Sequence, residues 1–441
     1  MPGGLSPGIG IEFPKDGLIM NNHLTDDTKV VLLLCGVLGK DKAVNPLALN
    51  DYNKLTRWLR ENELRPADLL EPSNVIAAAT GSGLGQDRLQ NLMVRGVQLG
   101  FAVEEWQRSG VWILSRGDHA YPRRLKKHLG NKSPALLFGV GEQSLLHGGG
   151  IGIVGSRNVD EAGREFTRQA AELCVQSGMP VVSGGARGVD QISMNTALDA
   201  GGKTIGVLAE NLLKKSLERN ARKAIADGQL LLISPYHPGA RFSVGTAMGR
   251  NKLIYAMADY GLVVSADYKK GGTWAGAKEE LKRERHVPVF VRGGYNTPSG
   301  NIKLLDLGAV IWPQIPNANQ LHQTLKNAAS AAEEKVGQGE LNLACEFKGV
   351  CSPALKIAED SSMSLAGEVP ESNLDPAEEL YQAVLPILLK HLGSPMPPDG
   401  LAKMLDVSKT QLNRWLKQAV EDKKVNKMNK PVRYCAAENQ P

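Results

Sequence analysis

The stretch Ile151-Gly-Ile-Val-Gly-Ser-Arg157, with Pro180-Val-Val-Ser-Gly-Gly-Ala-Arg-Gly-Val-Asp190 some twenty residues further on, predicts the fold of the chain. Ile151–Val154 is short, apolar and largely β-branched, which is typical of a buried parallel strand. A helical pattern with one apolar face separates it from a second run, Pro180–Val182. Strand, crossover helix and strand within about forty residues form a βαβ unit, whose right-handed crossover makes the two strands parallel.

Each of these strands ends in a glycine turn that carries one arginine, Arg157 in the first and Arg187 in the second. Open α/β sheets bind ligands at the carboxyl ends of their parallel strands. Glycine lets the backbone approach a ligand, and the helix that follows offers free N–H groups. The two turns therefore suit phosphate or a nucleic-acid backbone. The alternative is a pair of tight turns without a ligand, because neither matches the dinucleotide fingerprint or the Walker loop.

Apolar runs continue the alternation of strands and helices to residue 313. The strand candidates are Val111–Leu114, Pro134–Gly139, Thr204–Ala209, Leu230–Ser234, Gly261–Ser265, Val287–Val291 and Ala309–Trp312. Helical patterns fit between them, including 247–260 and 273–284. The sequence predicts an α/β fold with a Rossmann-like open parallel sheet over residues 111–313.

Two more cationic loops fall at the same edge of the predicted sheet. They are Gly249-Arg-Asn-Lys252 and Lys269-Lys-Gly-Gly-Thr273. Because an acid suits a helix N-terminus better than a cation does, Arg250 and Lys252 favour an anionic ligand. The alternative for both is a solvated helix start.

The flanking segments differ from this pattern. Residues 1–25 have a composition typical of disorder, and 26–110 predict a helical domain of the SAM or helix-hairpin-helix kind. Within it, Thr80–Gly85 is either a phosphate-binding hairpin or a linker between two packed helices. Residues 314–375 predict a flexible linker, with a helix near Asn317–Lys335.

Residues 376–435 predict a winged-helix domain. Apolar residues mark three amphipathic helices, and Lys423–Tyr434 predicts a basic β-wing. The outward face of the third helix carries the candidate contacts Lys409, Asn413, Arg414 and Lys417. Winged helices bind either a duplex groove or another protein, and both readings stay open.

Composition limits the function classes. The 441 residues carry a formal net charge of +6, which is compatible with a polyanionic partner. The five cysteines form no metal pattern, and the sequence shows no Ser-His-Asp set or thiol–imidazole pair, so we predict no metal and no cofactor. With no signal peptide pattern and no long apolar run, we expect a cytoplasmic protein without a membrane segment.

At these motifs the chain resembles the DNA-processing protein A (DprA/Smf) family. The resemblance covers about 28–313 and rests on Asp118–Pro122, Gly152–Arg157, Ser183–Asp190 and Gly249–Ile254, in that order. It implies a dimer that binds single-stranded DNA without catalysis and loads a RecA-type recombinase in natural transformation. By motif match, the DNA site comprises Gly155, Ser156, Arg157, Ser183, Gly184, Arg187, Gly188, Arg250, Asn251 and Lys252.

The loop chemistry adds further candidates to that site, namely Gly185, Lys269, Lys270, Gly271, Gly272 and Thr273. The chain departs from the family pattern at Met194, at Ser265-Ala266 and over 271–277, and so resembles a divergent member. Two rivals remain. One is a sensor of a small nucleotide, and the other is an N-glycoside hydrolase of a related fold that would use Glu279 or Glu280.

Overall fold

The computed structural model describes residues 24–39, 45–294, 296–337, 376–405, 409–429 and 432–437. The chain divides into two compact units, Met1–Cys345 and Glu346–Pro441. The α-helices of the first unit are α1 (Asp26–Cys35), α2 (Leu49–Glu61), α3 (Pro72–Ser82), α4 (Gln86–Met93), α5 (Gly96–Arg108), α6 (Arg123–Leu129), α7 (Glu161–Gln176), α8 (Val189–Asp199), α9 (Leu212–Ser216), α10 (Arg219–Ala226), α11 (Val244–Met257), α12 (Gly271–Leu281), α13 (Ser299–Leu305) and α14 (Leu321–Gly337). Short 3-10 turns occupy Pro66–Leu70, Gly130–Lys132, Gln143–His147 and Ala318–Gln320.

A nine-stranded sheet forms the centre of this unit. Its strands are β1 (Trp112–Ser115), β2 (Leu136–Val140), β3 (Ile151–Gly155), β4 (Val181–Ser183), β5 (Thr204–Val207), β6 (Leu230–Ser234), β7 (Tyr260–Ser265), β8 (Val289–Val291) and β9 (Val310–Ile311). The spatial order is β1-β2-β6-β5-β4-β3-β7-β8-β9. The strands from β6 to β9 in this order are all parallel, whereas β1 and β2 add an antiparallel edge.

The predicted βαβ unit is confirmed. Ile151 of β3 lies opposite Val181 of β4 in a parallel register, and α7 provides the crossover. Ala170 and Cys174 of α7 are buried in the same apolar cluster as Ile151 and Val181. The sheet is therefore covered where the sequence is uniformly apolar, as expected for parallel strands.

The helices α1–α5 pack beside β1 and β2, the antiparallel strands of the sheet. The Trp106 ring meets the Phe138 ring edge-on, with centroids 5.3 Å apart. Both residues belong to an apolar cluster that also holds Leu55 of α2 and Leu232 of β6. The helical segment and the sheet therefore share one hydrophobic core.

The glycine hairpin between α3 and α4 is packed against α2. A β-carbon at Gly81 would overlap the Trp58 indole, and Gly83 adopts a left-handed φ of +67° at the end of α3. Both glycines thus have a structural role in joining two packed helices, which is one of the two predicted readings.

The predicted start of the flexible linker at residue 314 is wrong. The helix expected near 317–335 is present as α14, and Leu321, Leu325 and Ala329 are buried in the cluster beside β3 and β8. Three apolar positions spaced by four were too sparse among Gln, Asn and Ser to be recognised as a packed face. Residues 338–375 of the predicted linker, and 1–23 of the predicted disordered segment, lie outside the described residues.

The second unit contains α15 (Pro376–His391), α16 (Pro398–Met404), α17 (Lys409–Glu421), β10 (Val425–Asn429) and β11 (Val432–Ala436). Its core includes Tyr381, Leu412 and Leu416, and β10 and β11 form an antiparallel hairpin. This is the element order expected of a winged helix, which stays a prediction. Asn413, Arg414 and Lys417 are exposed on α17, whereas the side chain of Lys409 lies outside the described residues.

No helix in the described part of the chain has the length and apolar character needed to cross a bilayer.

Candidate nucleic-acid interface

The strand order creates a cleft at one edge of the sheet. From β3 the chain builds β4, β5 and β6 to one side, and then returns to build β7, β8 and β9 on the other side. The carboxyl ends of β3 and β7 therefore lead into connections that diverge, and ligands of open α/β sheets bind at such a point. Here the structure has a cleft of about 420 Å³.

Nine of the sixteen predicted site residues line this cleft. They come from three of the four predicted loops, which the sheet brings together although they are distant in sequence. They are Gly155, Ser156, Arg157, Arg250, Asn251, Lys270, Gly271, Gly272 and Thr273.

Side chain to backbone hydrogen bonds tie these loops into one surface. The Thr273 hydroxyl donates to the Gly155 carbonyl at 3.1 Å, and the Asn251 amide donates to the Gly272 carbonyl at 3.0 Å. Thr273 and Gly272 belong to the first turn of α12, whose N–H groups have no partners within the helix. The cleft floor is thus a preorganised helix N-terminus, which favours an anion.

Exposed cations surround this floor. Arg157 and Lys270 line the cleft, whereas Lys269 precedes Lys270 in the chain without lining it. All three are exposed, and none has an ion-pair partner among the described side chains. Lys269 lies over the Tyr268 ring at 5.0 Å from its centroid. Asp267 is an exposed acid in the cleft lining, and the lining cations Arg157, Arg250 and Lys270 outnumber the lining acids Asp190 and Asp267 by one.

An aromatic residue missed by the sequence interpretation stands on the rim. Phe242 lines the cleft and is 45% exposed, and the Arg157 guanidinium lies 5.4 Å from its ring centroid. Ser243 caps α11 through its bond from the Thr246 N–H at 3.0 Å, which fixes the chain just after the ring. The available signal was the isolated aromatic between Arg241 and Ser243, in a stretch with no apolar period.

The second glycine turn differs from an open phosphate loop. The Asp190 carboxylate faces the backbone N–H groups of Gly184 and Ala186, which act to lower its pKa. Asp190 is buried, and burial raises its pKa although Arg250 and the two N–H groups act in the opposite direction. The turn therefore binds an internal anion.

Arg250 is the partner of that anion and is itself buried. Its Nη1 lies 3.5 Å from Asp190 Oδ2, and a β-carbon at Gly184 would overlap its guanidinium. The predicted alternative for Arg250, a solvated helix start, is wrong because α11 begins at Val244 and places Arg250 two turns inside the helix. Although Arg250 lines the cleft, its charge is largely neutralised by the ion pair with Asp190.

The remaining residues of the second turn are structural. The Ser183 hydroxyl donates to the Ile153 carbonyl at 2.6 Å and joins β4 to β3. Gly188 has a φ of +89°, and a β-carbon there would meet the Ser156 carbonyl. Gly185 also needs its left-handed φ of +67°. These residues shape the edge of the sheet without lining the cleft.

Arg187 and Lys252 were predicted to converge with the cleft cations. Arg187 is exposed and donates to Asn158, directly after the first turn, so it belongs to the same rim. Lys252 instead pairs with Glu279 at 3.0 Å on the outer side of α11 and lines a different cavity. The structure thus separates Lys252 from the other cations.

The two glutamates of the hydrolase reading lie away from the cleft. Glu280 is buried beside His128 at 2.9 Å, and Glu279 pairs with Lys252. Neither lines the cleft, which argues against either glutamate as the carboxylate at a bound sugar. Among the residues the structure describes, His, Cys, Asp and Glu form no group of three that could hold a metal ion.

Comparison with known proteins supports the architecture. A family model described as DNA recombination-mediator protein A matches residues 112–324. DNA processing protein DprA of Bacillus subtilis is 30% identical over 214 residues, which cover 47% of this chain and 70% of that protein. Protein Smf of Synechocystis is 31% identical over 237 residues, which cover 51% and 56% of the two chains. The X-ray structure of DprA from Streptococcus pneumoniae shares the fold, with a TM-score of 0.54 at 21% identity over 68% of this chain and 98% of that one.

Proposed function

The chain belongs to the DprA/Smf family of DNA processing proteins, and from this premise we propose that it binds single-stranded DNA across the cleft between β3 and β7. The observation that carries the proposal is the combination of exposed cations with an exposed aromatic ring around a helix N-terminus. Single-strand binders pair a positively charged groove for phosphates with aromatic rings on which bases stack. Arg157 and Phe242 provide both within 5.4 Å.

We assign phosphate binding to those cations of the predicted site that have no ion pair among the described residues. These are Arg157, Arg187, Lys269 and Lys270, all exposed and without an ion pair in the described part of the chain. Each contact with a single strand releases about 0.7 counterion, so four contacts give a log–log salt slope near −3. Arg250 supports the site by holding Asp190 and the second turn.

A salt titration of oligo(dT) binding, followed by fluorescence anisotropy, tests the proposal. The double variant Arg157→Glu, Lys270→Glu should weaken binding and flatten the slope by about 1.4, because two contacts are lost. The matched control is Lys203→Glu, Lys214→Glu, which reverses two exposed charges that do not line the cleft. Equal slopes for the two variants would show that the strand binds elsewhere.

A small nucleotide is the second candidate ligand of the same cleft. The volume of about 420 Å³ falls in the range of small-molecule pockets. A nucleotide sensor would bind a mononucleotide with an affinity that a long oligonucleotide does not exceed. Competition between AMP or ATP and labelled oligo(dT) separates the two candidates.

We also propose that the protein is a homodimer through the α/β unit. The resemblance implies this, and the sheet offers a surface for it. The edge strand β9 exposes 53% of Ile311, and Ile302 and Leu307 are 48% and 38% exposed nearby in the chain. An apolar sheet edge of this kind is stabilised when it is covered. Light scattering at tens of micromolar, with and without DNA, would give twice the chain mass.

Loading of a RecA-type recombinase in natural transformation completes the proposed function. It rests on family membership, since the relatives are named for DNA processing and the family model for recombination mediation. The second unit would then contact duplex DNA or a protein through Asn413, Arg414 and Lys417. A strand-exchange assay with purified recombinase and a DNA-coating protein, with and without this chain, tests the loading step.

A further inference from the structure

A second basic depression lies at the opposite edge of the sheet. It has a volume of about 680 Å³ and is bordered by Tyr260, the first residue of β7, and by Val287 and Pro288 just before β8. Because β7 has six residues, this edge lies about 20 Å from the cleft at the carboxyl ends. We call it the basic groove, defined by Lys127, Arg285 and Lys326.

Three separate elements direct these cations into the groove. Lys127 comes from α6, Arg285 from the segment after α12, and Lys326 from α14. All three are exposed, and none has an ion-pair partner among the side chains described in the structure. Charges that converge from three elements on one concavity strengthen each other's field, whereas charges scattered on a convex surface do not.

Asp259, the acidic residue in the groove lining, already has hydrogen-bond partners within the protein. Asp259 accepts a hydrogen bond from Arg124 at 3.0 Å and another from the Gly150 N–H at 2.9 Å. The Arg124 guanidinium also donates to the Met257 carbonyl. Arg124 and Asp259 therefore neutralise each other, and the charges of the three cations remain uncompensated among the described residues.

The groove walls are held in place from behind. Buried Glu280 lies 2.9 Å from His128 Nε2 and 3.1 Å from Arg283 Nε, and it accepts from the Val287 N–H at 2.9 Å. These contacts join α6, α12 and the start of β8. On the other wall, the Tyr260 hydroxyl donates to the His322 carbonyl at 3.4 Å, and the two rings meet edge-on at 5.6 Å.

From this geometry we propose that the basic groove is a second phosphate-binding site, distinct from the cleft. Its ligand class is the phosphate group, carried either by the backbone of single-stranded DNA or by a small nucleotide. Exposed Ser330 and His322 add hydrogen-bonding side chains to the three charges, as phosphate oxygens require. The inference goes beyond the proposed function, since it needs no DNA in the cleft.

Calorimetric titration with inorganic tripolyphosphate tests the site directly. The background is the full chain carrying Arg157→Glu and Lys270→Glu, in which the cleft is disabled. Adding Arg285→Glu and Lys326→Glu should weaken tripolyphosphate binding at least about tenfold, because the phosphates then face two repelling charges. The matched addition of Lys203→Glu and Lys214→Glu should change it by less than about twofold, since these charges lie outside the groove.

Equal affinities for the groove variant and its control would overturn the inference. If the charge reversal alters the far-ultraviolet circular dichroism, the neutral pair Arg285→Gln, Lys326→Gln replaces it. The neutral pair should still weaken binding several-fold, and no change would again overturn the proposal.

Oligo(dT) distinguishes the two sources of the phosphate. Lengths of about 10 and 40 nucleotides are chosen because single modules cover about 4–16. If the DNA backbone reaches the groove, Arg285→Glu with Lys326→Glu in an otherwise natural chain flattens the salt slope by about 1.4 for the longer strand. An unchanged slope with lost tripolyphosphate binding assigns the groove to small nucleotides. The cleft variants report separately on the proposed function, so failure of one site does not mimic failure of the other.

Discussion

Arg250 and Asp190 form an ion pair at 3.5 Å with side chains that are 8% and 6% exposed, between α11 and the start of α8. The pair explains why two motifs sixty residues apart in sequence both carry charges at one sheet edge. It also divides the predicted cations into one that supports the turn and others that are free for a ligand.

Replacement of Arg250 should destabilise the fold, and replacement of Arg157 should not. Arg250→Met leaves a buried carboxylate without its partner and should lower the free energy of unfolding by about 3–5 kcal/mol. The exposed Arg157→Met should change it by less than about 0.5 kcal/mol while weakening DNA binding. Urea unfolding and anisotropy on both variants give the comparison. A stable Arg250→Met protein with impaired binding would mean that Arg250 acts as a ligand residue.

Gly184 should tolerate no side chain. A β-carbon there would overlap the Arg250 guanidinium, so Gly184→Ala should cost about 1–3 kcal/mol of stability. Gly100, inside α5 with open space around it, is the matched control. Gly100→Ala should stabilise the protein by about 0.5–1 kcal/mol. Thermal unfolding of both variants measures the difference, and equal melting temperatures would disprove the close packing of Arg250 under the turn.

Phe242 should contribute to single-strand binding by stacking. Phe242→Ala should weaken oligo(dT) binding by about 1–3 kcal/mol without changing the salt slope, because no phosphate contact is lost. Phe101, 71% exposed on α5, provides the control for removing an exposed aromatic ring. Phe101→Ala should bind normally. A loss that appears as a changed slope would instead indicate that Phe242 acts only by positioning Arg157.

His237 should make stability depend on pH. Burial lowers its pKa from the ordinary 6.5, and its Nδ1 accepts the Gly239 N–H at 2.9 Å beside the Trp106 ring. As the pH falls below 6.5, the unfolded chain takes up the proton first, so stability is lost until the pH passes the lowered folded value. Above 6.5 the contribution is complete. Unfolding curves from pH 8 to about 5 should therefore fall more steeply for the natural protein than for His237→Gln.

Limited proteolysis should leave α14 uncleaved. Leu321, Leu325 and Ala329 are buried against the sheet, so this helix should resist cleavage although its sequence is polar. We expect the first cuts after residue 337, within the stretch whose sequence lacks an apolar period. Mass spectrometry of the early N-terminal fragments identifies the site. Early fragments that end between 314 and 330 would support the predicted linker start at residue 314.

The fold was largely predictable because parallel strands are uniformly apolar. Each strand candidate from Val111 to Trp312 has a counterpart in the sheet, with ends shifted by at most two residues. The helix α14 was predicted, but its packing against the sheet was not, because a face of only three apolar residues carries little periodic signal.

The site was less predictable than the fold. Glycine turns mark the edge of a sheet, but the sequence does not show which of their cations form ion pairs with acidic residues of the same chain. Arg250 and Lys252 differ by two positions on α11 and so point to different sides, one to Asp190 and the other to Glu279. Partner choice of this kind depends on tertiary packing, which a single sequence does not report.

The pairing of β2 with β6 determines how late in synthesis the sheet can be completed. Phe138 lies opposite Ser234, so a strand made early waits for one made about ninety residues later. Until then Leu136 and Phe138 lack Leu230 and Leu232 of β6, which share their apolar cluster in the folded protein. At about 5–20 residues per second, β2 then has only β1 as a hydrogen-bonded neighbour for several seconds. Truncated products that end before residue 230 should therefore require chaperones or aggregate, whereas those that reach the end of β9 should not.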